Sequence, residues 1–167
     1  MDSAELKKLQ TPLKDKYRDD PESAILTLRA KGKTGDEVSC KVDTGRAMVE
    51  AGLHPYTGGT GMLACSGDLL LEALVACAGV TLSAVATSIG IEVKSCEIKA
   101  EGDLDFRGTL GVSKEAPVGF KTIRLLFDIK SDANEEQVDK LISLTERYCV
   151  VYQTIKTGVE VHVSRNR

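Results

Sequence analysis

The chain has 167 residues, enough for one domain with its own hydrophobic core and fewer than usually force a division into two. Its net charge of -3 provides no basic field for nucleic acid, and 42% hydrophobic with 28% charged residues is a globular composition. Trp is absent and only seven residues are Phe or Tyr, so aromatic platforms for stacking bases are scarce and the core must be aliphatic. These features argue against a nucleic-acid-binding role.

The first residues, 1–8, contain no apolar segment after a basic one, so we expect no signal peptide and a cytoplasmic location. The longest apolar run, residues 69–78, is interrupted by Glu72 and is too short to span a bilayer. We therefore expect a core helix there and no association with a membrane.

Residues 1–22 are polar and charged, and they predict an exposed N-terminal arm, followed by a single domain over residues 23–167. Within that domain, residues 24–30 alternate as a strand, the turn residues 34–36 follow, and residues 37–42 form a returning strand. The pair predicts a hairpin. Residues 43–64 are rich in glycine and are expected to be an irregular loop, a kind of segment that is often functional when this long.

A helix is predicted from Ser66 to Ile89, with Ser66 as its cap, Asp68 favourable near the positive end of the helix dipole, and Gly90 as its stop. Because apolar residues surround it on nearly every side, it is expected to be buried on more than one face.

The second half of the chain predicts strands over residues 91–105 and 122–129, with Cys96 facing inward. A helix then begins with Asp132 as its N-cap and Glu135 three residues later. Its apolar face includes Cys149, near the helix end, and residues 159–163 alternate as a final strand. The order β-β-α-β-β-α-β predicts an α+β fold.

The chain has five cysteines, Cys40, Cys65, Cys77, Cys96 and Cys149. No two of them have a short ligand spacing, so a metal site is improbable, and in a reducing cytosol a disulfide is more often transient and catalytic than structural. Cys40, Cys65 and Cys96 are interpreted as structural, although Cys65 lies near a helix start, where a thiol can be activated.

Cys77 and Cys149 could meet if their helices pack against one sheet or against each other. A thiolate attacks a peroxide to form a sulfenic acid, which a second thiol resolves into a disulfide. The other reading is that both are buried packing residues. Cys77 lies about ten residues inside its helix, too far for that helix's own dipole to ionise it, so a cation is expected from elsewhere.

Several segments occur in the order found in one family. They are Gly58-Gly59-Thr60-Gly61, Ser66 to Leu71, Ala76-Cys77, Glu101 to Asp105, Gly119-Phe120 with Ile123-Arg124, Asp132 to Glu135, and Arg147-Tyr148-Cys149. Over roughly residues 24–163 the chain resembles the OsmC/Ohr superfamily of osmotically inducible and organic-hydroperoxide-resistance proteins, as a divergent OsmC-like branch.

The resemblance implies two β-sheets around two central helices in an intertwined homodimer, with active sites at the subunit interface and no cofactor. It implies Cys77 as the peroxidatic thiol and Cys149 as the resolving thiol. In peroxidase members an Arg and a Glu activate the first thiol, whereas here Gly67 stands at the Glu position, next to Asp68, and the hairpin offers Lys31 and Lys33. Lys33 and Asp68 are therefore the candidate supporting residues.

Arg46 and Arg147 are alternative sources of the cation expected near Cys77. The ordinary role of such residues is an exposed salt bridge. Val150 replaces the proline that often follows the resolving cysteine.

Two functions remain open. The first is a thiol-dependent peroxidase that reduces organic hydroperoxides and is recycled by a dithiol reductant. The second is a non-enzymatic module that binds an apolar small molecule at the dimer cleft and keeps its cysteines for packing.

Overall fold

The computed structural model describes residues 2–5, 8, 11, 19, 31–34, 39–43, 48–111 and 113–165, with the backbone alone for 31–34 and 39–43. The helices and strands are β1 (Lys31–Thr34), β2 (Ser39–Asp43), β3 (Met48–Gly52), a 3-10 turn (Pro55–Thr57), α1 (Ser66–Ile89), β4 (Val93–Asp103), α2 (Phe106–Thr109), β5 (Thr122–Ser131), α3 (Glu135–Tyr148) and α4 (Val150–Thr157). The mixed helix and strand class is confirmed.

The chain forms two compact units. The first contains residues 1–6, 73–98 and 127–167, and the second contains residues 7–72 and 99–126. The division into an N-terminal arm and one domain stays a prediction, as does the arrangement of two sheets around central helices.

Strands β1, β2 and β3 form an antiparallel sheet in that order, with Lys31 opposite Asp43 and Ser39 opposite Gly52. The returning strand predicted over 37–42 corresponds to β2, but its partner β1 lies at Lys31–Thr34 and includes the predicted turn residue Thr34. The predicted strand 24–30 lies outside the described residues, as does most of the N-terminal arm.

The glycine-rich segment 43–64 is not irregular throughout, as the sequence had suggested, because β3 occupies part of it. Gly52 donates its N–H to the Ala64 carbonyl at 3.0 Å, and Ala64 donates to the Glu50 carbonyl at 3.1 Å. These hydrogen bonds hold β3 against the residues that enter α1.

Helix α1 has the predicted bounds. Gly90 ends it with φ 73°, a left-handed conformation that glycine adopts without a steric cost, and Ile91 donates to the Ala86 carbonyl. The predicted cap was wrong, because Ser66 is already helical and the Cys65 carbonyl accepts from Leu69.

The fully buried residues of α1 are Leu74, Ala78, Leu82 and Ala86, which recur every four positions. They form a single stripe, so within this chain the helix is buried along one face and not several. Val80 is 73% exposed.

Of the helices in the described residues, α1 is the one whose length and composition would allow it to cross a membrane. The core helix of a soluble protein passes the same test of length and composition.

Strands β4 and β5 form a two-stranded sheet, and each alternates half-buried residues, mostly apolar, with exposed ones that are polar except for Leu126 of β5. Arg124 of β5 donates to Glu101 at 3.0 Å and to Asp103 at 2.9 Å, so charged pairs join the strands on their exposed face. Gly102 of β4 lies so close to the Phe120 ring that a Cβ there would come within 2.4 Å of it, which explains the glycine.

The N-cap of helix α3 is Asn134 and not Asp132. The Asn134 side chain accepts from the Gln137 N–H at 2.9 Å, and the Gln137 side chain accepts from the Asn134 N–H at 3.0 Å. This reciprocal capping box satisfies two otherwise free donors. Asp132 instead pairs with Lys94.

The end of the chain differs from the prediction in two ways. A helix that was not expected, α4, follows α3 after one residue. The segment Val159–Val163 is not a strand, since a strand needs a partner and the described residues supply none.

The core of the first unit is formed by Leu82, Ala86 and Leu141, with Val85, Ile91, Val93, Cys96, Phe127 and Ile129 packed around them. Cys96 is thus inward-facing, as predicted. Leu141 and Thr145 of α3 and Cys149, the residue after its end, are buried at four-residue spacing, which confirms that Cys149 faces inward.

Candidate functional site

Cys149 is the single residue between α3 and α4. Its backbone is extended (φ -74°, ψ 109°), while its N–H donates to the Thr145 carbonyl and its carbonyl accepts from the Gln153 N–H, both at 2.9 Å. Gln153 also donates its side-chain amide to the Glu146 carbonyl at 2.8 Å, and Glu146 accepts from the Tyr152 hydroxyl at 3.1 Å. These bonds fix the corner and the direction in which α4 starts.

The first amides of a helix have no partner within the helix, so the start of α4 presents free N–H groups. The N–H groups of Val150 and Val151 favour the thiolate of Cys77. Those of Val151 and Tyr152 favour the thiolate of Cys149. Both cysteines lie in the first unit and both are free thiols. The structure therefore brings together the two cysteines that the sequence singled out.

The two thiols differ in their pKa. Burial raises the pKa of Cys77, but the Val151 N–H, the Cys149 thiol, the Thr81 hydroxyl and the Val150 N–H favour the thiolate, and the net effect is a lowered pKa.

The pKa of Cys149 moves the other way. Burial is the largest cause, and donating to Cys77 and lying beside its negative charge raise the pKa further, while the N–H groups of Tyr152 and Val151 oppose the rise. Of the pair, Cys77 is the thiol that ionises first.

The N–H groups at the start of α4 thus favour the Cys77 thiolate, the role for which the sequence predicted a cationic side chain. A helix N-terminus carries about half a positive charge, and its N–H groups favour an anion. Arg147, one of the alternatives, lies over the Tyr148 ring at 5.5 Å and is exposed.

The proposed supporting residues are not tested by these contacts. Asp68 is exposed in the first turn of α1, within the second unit. The side chains of Lys33 and Arg46 lie outside the described residues. Gly67 is half-buried. A Cβ at this position would meet the Phe120 ring at 3.4 Å and the Cys65 sulfur at 3.6 Å.

Sequence reasoning missed α4 because residues 150–157 are rich in β-branched and aromatic residues, which favour strands. The signals present were Gly158 just after the segment and Lys156 in its last turn, both typical of a helix C-terminus.

The lowered pKa of Cys77 predicts its alkylation profile. Iodoacetamide modifies thiolates, so the rate at Cys77 should rise with pH and reach half its maximum below the ordinary thiol range, since a lower pKa makes the thiolate available at lower pH. In Thr81→Val, which removes one donor, the midpoint should move upward. Peptide mass mapping between about pH 6 and pH 10 measures both.

Cys149 provides the internal reference for that experiment, because it is 1% exposed and its pKa is raised. It should react more slowly at every pH tested. A midpoint for Cys77 at or above the ordinary range would contradict the role assigned to α4.

Each unit also contains a cavity. In the second unit a cavity of about 400 Å³ is bordered by apolar and aromatic side chains, including Leu70, Leu104, Phe106 and Phe120, with Cys65 at its edge. His54 stacks on Phe106 at 5.1 Å there. Asp105 accepts from Arg107, which lowers the pKa of Asp105 to about 2 and keeps that loop ion pair charged.

In the first unit a cavity of about 440 Å³ lies along α1 and β4 and is bordered by Leu82, Ile98 and Cys96. Burial and the nearby Asp128 raise the pKa of Cys96, as suits a thiol that packs. Among the described residues no group of three or more His, Cys, Asp or Glu side chains is arranged to hold a metal ion.

The model of the OsmC-like protein family matches residues 59–164, which include both cysteines of the pair. No curated protein sequence matches the chain.

Solved structures share the fold. An OsmC-like protein from Mycoplasma pneumoniae has a TM-score of 0.68 at 15% identity, covering 80% of this chain and 89% of its own. An organic hydroperoxide resistance protein OsmC from Legionella pneumophila has a TM-score of 0.63 at 20% identity, covering 80% and 91%. The organic hydroperoxide resistance protein OhrB of Bacillus subtilis has a TM-score of 0.57 at 22% identity, covering 82% and 96%.

At these identities the structural likeness establishes the fold, while the family model extends over more than half of the chain and includes both Cys77 and Cys149. The resemblance seen in the sequence is confirmed. The chain belongs to the OsmC-like protein family.

Proposed function

We propose that this protein is a thiol-dependent peroxidase that reduces organic hydroperoxides, with Cys77 as the attacking thiol and Cys149 as the resolving thiol. The observation that carries the proposal is the pairing of two free thiols whose pKa values are shifted in opposite directions. Similarity to proteins named for organic hydroperoxide resistance supports the choice of oxidant.

In the first step the Cys77 thiolate attacks the outer oxygen of the hydroperoxide. A sulfur–oxygen bond forms, the oxygen–oxygen bond breaks, and the alkoxide leaves as an alcohol after taking a proton. Cys77 is oxidised to a sulfenic acid.

The second step requires Cys149 to lose its proton. Once Cys77 is a sulfenic acid it no longer carries the negative charge that helped to raise the pKa of Cys149, while the N–H groups of Tyr152 and Val151 remain in place. The Cys149 thiolate then attacks the Cys77 sulfur, a disulfide forms, and the hydroxyl leaves as water. One set of amides thus serves both thiolates in turn.

An external dithiol reopens the disulfide by thiol exchange and supplies the two electrons used on the peroxide.

We place the protein in the cytoplasm, where such reductants keep thiols reduced. We further propose a homodimer, because the apolar helix α1 leaves three large apolar side chains exposed, Leu70, Val80 and Ile89, which a second copy would cover.

Mass spectrometry tests the chemistry directly. One equivalent of cumene hydroperoxide added to the reduced protein should lower the mass by two hydrogens and yield a cross-linked pair of peptides containing Cys77 and Cys149. In Cys149→Ser the sulfenic acid should persist at Cys77 and be trapped by dimedone.

Cys96→Ser is the matched control, since Cys96 is a half-buried thiol of the same unit and should not change the result. Unmodified Cys77 after treatment, or oxidation that begins at another cysteine, would contradict the proposal.

The alternative is a non-enzymatic module that binds an apolar small molecule. The cavity of about 400 Å³ in the second unit favours it, because ligand sites are typically concave and lined by apolar and aromatic side chains. It requires saturable binding of an apolar fluorescent probe that is unchanged by Cys77→Ala, together with no oxidation of Cys77 by peroxide.

A further inference from the structure

The corner between α3 and α4 is a helix break without a proline. In an uninterrupted α-helix the N–H of Val150 would donate to the carbonyl of Glu146. Here Cys149 has an extended backbone with ψ 109°, and within the described residues no backbone hydrogen bond joins Val150 to Glu146. A proline after Cys149 would stop a helix by itself, but Val150 has an N–H and can continue one. The break therefore needs another cause.

The Glu146 carbonyl is bound by a side chain instead. The side-chain amide of Gln153 donates to it at 2.8 Å. Gln153 is the fourth residue of α4, and its backbone N–H donates to the Cys149 carbonyl at 2.9 Å, so its side chain is anchored at the corner. The last carbonyls of a helix have no partner within the helix, and Gln153 thus satisfies one of those at the end of α3.

A second contact holds α4 in the same orientation. The Tyr152 hydroxyl donates to the Glu146 carboxylate at 3.1 Å, and the Lys156 ammonium donates to the Tyr152 oxygen at 3.3 Å. Two consecutive residues of α4 therefore bind one residue of α3, the first through its side chain and the second through its main chain. Because the two bonds end on the same residue, α4 has little freedom to rotate about the corner.

The N–H groups that the break leaves free are those that act on the Cys77 sulfur. The N–H groups of Val150 and Val151 favour its thiolate. In a helix that continued through Cys149, the N–H of Val150 would be bonded to Glu146 and that of Val151 to Arg147. Neither would then remain for Cys77.

We propose that Gln153 is a positioning residue for the proposed peroxidase reaction. By binding the Glu146 carbonyl in place of the Val150 N–H, its side chain keeps the helix broken at Cys149 and the free N–H groups of α4 directed at the Cys77 sulfur. Gln153 contributes no donor of its own to either thiol. The inference rests on Cys77 as the attacking thiol of the proposed function and adds the residue that maintains its surroundings.

Gln153→Met tests this role, because methionine has a similar length and the same charge, favours helices and has no N–H to donate. The rate of Cys77 alkylation by iodoacetamide, measured below its pH midpoint, should fall about tenfold, and the midpoint should move upward. Among the described groups that act on Cys77, Cys149 is the one titratable side chain, and it is present in both proteins. The shift therefore cannot come from a lost charge.

Thr154→Val is the matched control, since it removes a polar group from the next residue of α4, which is exposed. It should leave the rate and the midpoint unchanged. Circular dichroism checks that both variants fold.

A proline at position 150 restores the break by another route. Proline suits the first position of a helix, and the extended backbone of Cys149 is compatible with a proline after it. When Val150→Pro is combined with Gln153→Met, the helix cannot continue through Cys149, so the alkylation rate should recover in part through the Val151 N–H. A rate that stays as low as in Gln153→Met would overturn the inference.

Val150→Pro in the otherwise unsubstituted protein gives a test that is independent of any Gln153 variant. Val150 is 70% exposed and its N–H is not bonded to Glu146, so the urea midpoint of unfolding should change little. A strong decrease would mean that the helix continues through Cys149 in solution, which contradicts the role of Gln153.

The measurements separate this inference from the proposed function. An unchanged alkylation midpoint for Cys77 in Gln153→Met overturns the inference alone. An unsubstituted protein in which cumene hydroperoxide leaves Cys77 unmodified overturns the peroxidase. In that case alkylation still shows whether Gln153 controls the Cys77 thiol.

Discussion

Replacing Cys77 with serine is expected to lower the turnover of cumene hydroperoxide in the presence of a dithiol by on the order of a thousandfold or more. A serine hydroxyl stays protonated at neutral pH and is a poor nucleophile toward peroxide oxygen, even with the amides of Val150 and Val151 beside it. A coupled assay that follows consumption of the hydroperoxide measures the loss.

The same assay distinguishes the roles of the other thiols. Cys149→Ser should keep the first oxidation and lose the disulfide, so turnover should depend on direct attack of the external thiol on the sulfenic acid. Cys96→Ser should behave as the unsubstituted protein. Undiminished turnover in Cys77→Ser would remove Cys77 from the mechanism.

Truncation of Leu141 to alanine is expected to lower the free energy of unfolding by about 3 kcal/mol, because the side chain is fully buried against Leu82 and Ala86 and its removal leaves a cavity. Urea denaturation followed by circular dichroism gives the change.

Leu126→Ala is the control, since it removes the same atoms from a side chain that is 46% exposed on β5. Its cost should be about 1 kcal/mol or less. Equal losses in the two variants would mean that Leu141 does not belong to the core of the first unit. Leu141 lies on α3, about two turns before the corner at Cys149.

Long, strongly patterned elements could be predicted from the sequence. The bounds of α1 were predicted correctly because an apolar run ends at a glycine that adopts a left-handed conformation. The alternation in β5 and the inward direction of Cys96 and Cys149 were also confirmed. In each case the local pattern and the tertiary packing favour the same structure.

Predictions failed where the local sequence was compatible with more than one structure. Asp132 and Asn134 are both good N-caps, and the reciprocal bond with Gln137 decided for Asn134. The residues of α4 favour strands, yet they form a helix after the break at Cys149. The strand expected at Val159–Val163 has the right pattern but no partner in the described residues.

From the sequence alone the inward direction of Cys149, the aliphatic core and the resemblance to the OsmC-like family could be predicted. The sequence did not determine which thiol would ionise, because a pKa depends on donors and charges within a few ångströms and those come from distant residues. Only the tertiary structure decided this, by starting α4 immediately after Cys149 and placing its free N–H groups at Cys77. The groups that lower the pKa of Cys77 include backbone amides, and residue types alone do not show where backbone amides will lie.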